Sequence, residues 1–169
     1  MTEAPNTDSQ QTGDDGAAHL EQAVQLAVES VDAGGGPFGA VVVRNGQVVA
    51  TGQNRVTRDE DPTAHAEIVA IRTACRQLGT FSLEGCVLYT SCEPCPMCLA
   101  ASMWSRLATV VYAADRHDAA RGGFDDTAFY ELFSQERHLW DQPVISELRL
   151  SRSEAPFCAW RDHSRRVDY

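Results

Sequence analysis

Two short segments, His65-Ala66-Glu67 and Pro94-Cys95-Pro96-Met97-Cys98, constrain this chain more than any other feature. One His and two Cys are the donor types that zinc prefers, and three protein ligands leave its fourth position open to water. The two thiolates offset the charge of the metal, and a water bound there ionises near ~7, which gives a hydroxide nucleophile. The prolines place Cys95 and Cys98 at the start of a helix, where the positive end of the helix dipole favours a thiolate. Glu67 is not needed as a ligand. A carboxylate beside a metal-bound water can take its proton and return it to a substrate. Residues two apart do not share a face of a regular helix, so His65 and Glu67 converge only if they sit at a helix start. The pattern therefore requires a fold that brings two helix starts together around His65, Cys95, Cys98 and Glu67. One Zn2+ per subunit, with a bound water or hydroxide, is the expected cofactor.

Other readings of the cysteines stay open at this level. Cys92-x-x-Cys95 and Cys95-x-x-Cys98 overlap. They admit a redox dithiol, or a non-catalytic structural zinc with Cys92 as fourth ligand. Cys92, before the prolines, reads as a packed residue, and Cys75 and Cys86 as small buried hydrophobes. His19, His117, His138 and His163 have no partner pattern, and Asp59-Glu60-Asp61 reads as solvated charge.

The remaining pattern supplies the scaffold. Leu20, Ala23, Val24, Ala27 and Val31 fall on one helical face and predict a helix over 18–31, stopped by Gly34-Gly35-Gly36. Apolar runs at 38–43 and 48–53 flank Asn45-Gly46, the strongest short hairpin signal. Asp61-Pro62-Thr63 predicts the opening of a second helix, whose face is Ala64, Ile68, Ile71, Ala74, Cys75 and Leu78 and whose end is Gly79. Further strands are expected at 86–90, 109–113 and 144–150. Further helices are expected at 94–104, at 127–133 and from Pro156 to about Arg165, with a polar loop up to Gly123. Strands alternating with helices imply an α/β fold, a three-layer α/β/α sandwich over a mixed sheet, here of five strands.

At 169 residues, 43% of them hydrophobic, the chain suits one domain. Residues 1–17 are the exception. They carry almost nothing apolar, so they read as a disordered N-terminal tail before a domain at 18–169. The tail has neither the basic start nor the apolar run of a secretory leader, and no segment reaches membrane-spanning length. A cytoplasmic protein is the expectation. The net charge of −10 opposes binding to a phosphate backbone, so no nucleic-acid partner is expected.

The sequence resembles the cytidine deaminase-like superfamily, and within it the small bacterial guanine deaminases. His-x-Glu followed by Pro-Cys-x-x-Cys is the superfamily's zinc signature. Gly36-Pro-Phe-Gly-Ala40, Asp61 to Glu67, Tyr89 to Cys98, Gly123-Phe-Asp-Asp126, Pro156-Phe-x-Ala-Trp160 and Asp168-Tyr169 carry the narrower likeness, which runs from about residue 18 to the end. It implies hydrolysis of guanine to xanthine and ammonia, a step of purine catabolism. It implies Glu67 as proton shuttle and Asp126 as an acid near the substrate amino group. Asn54 would hydrogen-bond the base, Phe38, Ala66 and Trp104 would line its pocket, and Tyr169 would close it. It also implies a homodimer that swaps its C-terminal segment. Each substrate role has a plainer rival: Phe38 and Trp104 as core aromatics, Asp126 as a helix cap, Tyr169 as a frayed end. Leu99 to Met103 and Asp115-Arg116 depart from the family pattern, and residues 131–144 match it poorly. Another aminopurine, an aminotriazine, cytosine or a tRNA adenosine is the alternative substrate.

Overall fold

The computed structural model describes residues 8–140 and 142–168, with side chains from residue 16 onward. It divides into two compact units, residues 1–128 and 129–169.

The first unit is built on a mixed sheet of four strands: β1 (Gly39–Arg44), β2 (Gln47–Gln53), β3 (Cys86–Cys92) and β4 (Thr109–Ala114), in the order β2-β1-β3-β4. β1 pairs antiparallel with both β2 and β3, and β3 pairs parallel with β4. The β1–β2 hairpin turns at Asn45 and Gly46, both at positive φ (52° and 73°), as Asn-Gly requires. Strand alternation divides β1 between two cores. Val41 and Val43 pack with Ala23 of helix α1 (Asp8–Asp32), whereas Ala40 and Val42 pack with Ala66, Ala70, Ile71 and Ala74 of helix α3 (Ala66–Leu78). Helices thus cover both faces of the sheet, and β1, buried from Gly39 to Val43, is its centre.

Two glycines set how closely the helices approach. A Cβ on Gly39 would lie 2.3 Å from the carbonyl oxygen of Ala23 in α1. One on Gly52 would lie 2.1 Å from that of Ala66 in α3. Both are sub-van der Waals, so the backbones of strand and helix touch where no side chain fits.

Several elements differ from the expectation. Helix α1 spans Asp8–Asp32, longer than the expected 18–31, and residues 1–7 of the expected tail lie outside the described residues. Once a docked segment has nucleated a helix, each added residue gains a hydrogen bond without needing apolar surface. Helix α3 starts at Ala66, because Asp61-Pro62-Thr63 forms a turn in which Asp61 Oδ1 accepts from Thr63 N (2.8 Å) and Thr63 Oγ1 (2.7 Å). A short helix α2 (Val56–Asp59) precedes that turn. Helix α4 (Pro96–Trp104) starts two residues later than predicted. The expected polar loop contains helix α5 (Arg116–Arg121), begun by a capping box between Asp115 and Asp118. Helix α6 (Thr127–Phe133) matches its prediction.

The expected fifth strand is absent among the described residues: 144–150 pair with no ladder, and Val144 and Leu148 are 82% and 85% exposed. Alternating hydrophobicity supplies a face but not a neighbouring edge, and both are needed for a strand. The second unit otherwise contains a 3-10 turn (Arg137–Leu139), helix α7 (Ala155–Asp162), and an edge-on contact of Phe133 with Trp140 at 5.4 Å. None of its described residues is buried.

Candidate metal centre

The sheet delivers two helix starts to one place. His65 is the N-cap of α3 and Cys95 the N-cap of α4, and neither side chain makes a capping hydrogen bond. Both residues therefore stand one position before the first turn predicted for them, in extended backbone, with side chains released from the helix surface. Pro96 occupies the first turn of α4, where its missing N–H costs nothing. Cys98 is buried in the first turn of α4, and Ala66 is fully buried at the start of α3.

His65 Nδ1 lies 3.6 Å from Cys95 Sγ and 3.5 Å from Cys98 Sγ, and the three ligand atoms all fall within 4.8 Å of one another. A tetrahedral zinc bound at ordinary Zn–N and Zn–S lengths holds such nitrogen and sulfur atoms about 3.6 Å apart. The donor set therefore fits the ion in both chemistry and spacing. Of the two thiols, Cys95 is already polarised toward the thiolate. Hydrogen bonds from Cys98 and His65 hold Cys95 down to about 4, against the opposing effect of burial, while Cys98, the donor to Cys95, is pushed well up. His65 is raised in turn by its bond to Cys95.

Glu67 is 6% exposed and buried beside this set, and burial pushes its carboxyl above the ordinary 4.5. A carboxylate of raised affinity for protons is suited to shuttling one near neutral pH. Asp126 is also raised, chiefly by burial and then by the Cys95 thiolate, while the Arg116 guanidinium opposes the rise. Its Oδ1 is buried without a hydrogen-bond partner. The capping role belongs to its neighbour, since Asp125 Oδ1 accepts from Thr127 N at 2.9 Å.

Asn54 is buried, and its Oδ1 accepts from the N–H groups of Gly36 (3.3 Å) and Val56 (3.2 Å). Phe38 stacks edge-on with Phe124 at 5.1 Å, and both line an apolar groove with Val28, Val31, Ala114 and Ala119. Trp104 ends α4 and is 68% exposed. Tyr169 lies outside the described residues.

Cys92 is not one of the clustered ligands. Its thiol points to the carbonyl oxygen of Asp115 at 3.6 Å, and burial pushes it up to about 11. That geometry disfavours a fourth sulfur ligand and a reactive dithiol. Cys75 and Cys86 belong to the core below α3, as inert thiols raised by burial.

Sequence reasoning missed one set of contacts. Glu93 accepts from the backbone N (3.1 Å) and Nε (3.0 Å) of Arg116, and its other oxygen takes Nη2 of the same residue. The only local signal was the Asp115-x-x-Asp118 spacing that starts α5.

These ligands, helix starts and acids define a deaminase-type zinc centre, and the chain belongs to the cytidine and deoxycytidylate deaminase zinc-binding family, whose profile matches residues 14–114. Guanine deaminase of Bacillus subtilis (strain 168) is 50% identical over 151 residues, covering 89% of this chain and 96% of the relative. The X-ray structure of guanine deaminase from Bacillus subtilis superposes with a TM-score of 0.87 at 49% identity, over 90% of this chain and 98% of that one. The tRNA-specific adenosine deaminase of the same bacterium is 37% identical over 128 residues, covering 76% of this chain and 77% of the relative.

Proposed function

We propose that this protein is a zinc-dependent guanine deaminase, which hydrolyses guanine to xanthine and ammonia. The observation that carries the chemistry is the clustering of three ligand atoms within 4.8 Å of one another, with His65 Nδ1 at tetrahedral distance from both thiols, beside the buried Glu67. The substrate rests on a relative that is half identical over nearly the full length of both chains, a guanine deaminase.

His65, Cys95 and Cys98 hold the metal. Zinc, when bound, supplies a Lewis acid that makes water nucleophilic at neutral pH. Glu67 accepts the proton of the attacking water as oxygen bonds to C2 of the purine. It delivers that proton to the adjacent ring nitrogen, then assists a second transfer to the amino group, so that the C2–N bond breaks and ammonia leaves. One water is consumed for each ammonia released. Asp126, with a buried oxygen and a raised proton affinity, is the second proton carrier at the amino group. Asn54 has its Oδ1 committed to two backbone N–H groups, which fixes the amide plane and reserves the Nδ2 hydrogens for the base. Phe38, Ala66 and Trp104 enclose the ring, and Tyr169 closes the site.

The same reading includes a cytoplasmic homodimer acting in purine catabolism, with the C-terminal segment exchanged between subunits. The absence of any buried residue among those described in 129–169 supports the exchange, because a segment carrying Leu148, Phe157 and Trp160 gains little by folding alone. The tRNA-specific adenosine deaminase relative motivates a second substrate class, but a net charge of −10 opposes an RNA partner.

The test is to load the purified chain with zinc and follow xanthine from guanine, with adenine, cytosine, ammeline and tRNA as competitors. Brisk turnover of another amino-base with none of guanine overturns the substrate and keeps the class.

A further inference from the structure

The metal loop is gripped from outside by one residue. Glu93 sits between Cys92, the last residue of β3, and Pro94-Cys95. Its backbone N donates to the carbonyl oxygen of Ala114 at 2.8 Å, at the end of β4. Its carboxylate takes three donors, all from Arg116: the backbone N, Nε and Nη2. The planar guanidinium thus meets the carboxylate as a fork, a geometry that lysine cannot supply.

The other side of the grip is itself fixed. Asp115 accepts from the backbone N of His117 (2.9 Å) and of Asp118 (2.8 Å), while its own N donates to Asp118 Oδ2 (3.0 Å). The carbonyl oxygen of Asp115 receives the Cys92 thiol. The start of α5 is therefore tied both to its own first turn and to the end of β3. Between the gripped Glu93 and the ligand Cys95 stands one residue, Pro94, whose ring fixes φ. A displacement of Glu93 passes to the Cys95 backbone with little to absorb it.

The pair is 31% and 17% exposed at Arg116 and Glu93, so it is neither a fully solvated ion pair nor a deeply buried one. Such pairs contribute modestly to stability on their own. Their orienting effect on a ligand can be larger, since loss of an outer partner commonly weakens metal binding about 10-fold or more.

We propose that Arg116 is a positioning residue of the metal centre, which holds Glu93 through a forked contact and thereby sets Cys95 Sγ relative to His65 and Cys98. The inference rests on the zinc reading given above.

The test uses the full chain with cobalt(II) in place of zinc, and four variants: Arg116→Gln, Arg116→Lys, Glu93→Gln and the double Arg116→Gln/Glu93→Gln. Three quantities are read: the cobalt d–d absorption, the rate of zinc release to a chelator, and the melting temperature of the metal-free protein. Arg116→Gln is expected to shift the cobalt band and speed zinc release about 10-fold. Glu93→Gln should do the same, the double variant should be no worse than either single one, and Arg116→Lys should fall between. If Arg116→Gln does not fold, Arg116→Lys and Glu93→Gln carry the comparison. Parent-like cobalt spectra and release rates in the single variants overturn the inference, even if their metal-free melting temperatures fall. A parent protein that takes up no cobalt overturns the zinc reading and this inference together.

Discussion

Gly52 and Ala66 touch backbone to backbone: a Cβ on Gly52 would stand 2.1 Å from the carbonyl oxygen of Ala66, and 2.6 Å from the amide nitrogen of Ala70. Strand β2 thus bears directly on the first turn of α3, between the metal ligand His65 and the acid Glu67. Gly52→Ala is expected to destabilise the protein by about 1–3 kcal/mol, the usual cost of forcing atoms into a packed site. It should also lower the zinc content of the purified protein, because the obstructing atoms are backbone and the helix start has to move. Gly34→Ala is the comparison. Gly34 meets nothing within 4 Å, and only its positive φ of 80° is lost. Denaturant midpoints and bound zinc for the two variants check the expectation, and equal zinc content in both contradicts it.

Glu67 carries opposite consequences for activity and stability. Glu67→Gln keeps shape and ligands but cannot carry a proton, so turnover should fall about 100-fold or more with zinc still bound. In the metal-free protein the sign reverses. A buried carboxyl raised above its ordinary 4.5 binds protons more tightly folded than unfolded, so its ionisation costs stability as pH rises past 4.5. Metal-free Glu67→Gln should melt higher than the metal-free parent at neutral pH, and the gap should close as pH falls toward 4.5. Thermal melts at several pH values read this directly, and a variant less stable than the parent at neutral pH would show that the carboxylate is paired.

Removing the metal should cost stability as well as activity, since three ligands on two helix starts are joined through it. A strong chelator is expected to lower the melting temperature of the parent and to leave His65→Ala and Cys95→Ser, which retain little zinc, almost unchanged. A chelator-induced fall of the same size in those variants would place the stabilising metal elsewhere.

The parts of this architecture legible in the sequence are those written by local rules. The Asn45-Gly46 hairpin, the face of α3 ending at Gly79 and the proline-led start of α4 each depend on a few neighbouring residues, and each is found at or near its expected place. Helices α2 and α5 were missed because such short helices bury nothing and show no periodicity; α5 is marked only by the caps of Asp115 and Asp118. The strand expected at 144–150 has the alternating pattern but joins no ladder, and alternation alone does not specify a pairing partner. At the site, residue identities disclosed the ligand set, yet not that His65 and Cys95 are N-caps. The Glu93–Arg116 contact joins residues 23 apart and depends on β3 lying parallel to β4, which no local pattern encodes.

The proposed exchange of C-terminal segments can be decided by mixing two inactive proteins. Glu67→Gln disables the site in its own subunit, whereas Tyr169→Ala removes the proposed closing residue from whichever site the segment serves. If the segment serves its own subunit, every site in a mixed dimer carries one of the two lesions, and the mixture stays inactive. If it crosses over, the subunit with intact Glu67 receives Tyr169 from its partner, and one site in each mixed dimer is whole. Random reassortment makes half the dimers mixed, so about a quarter of the parental guanine turnover should return. Co-refolded or co-expressed subunits, checked for a dimer by sedimentation, provide the measurement, and a mixture with no activity beyond that of its components rules the exchange out.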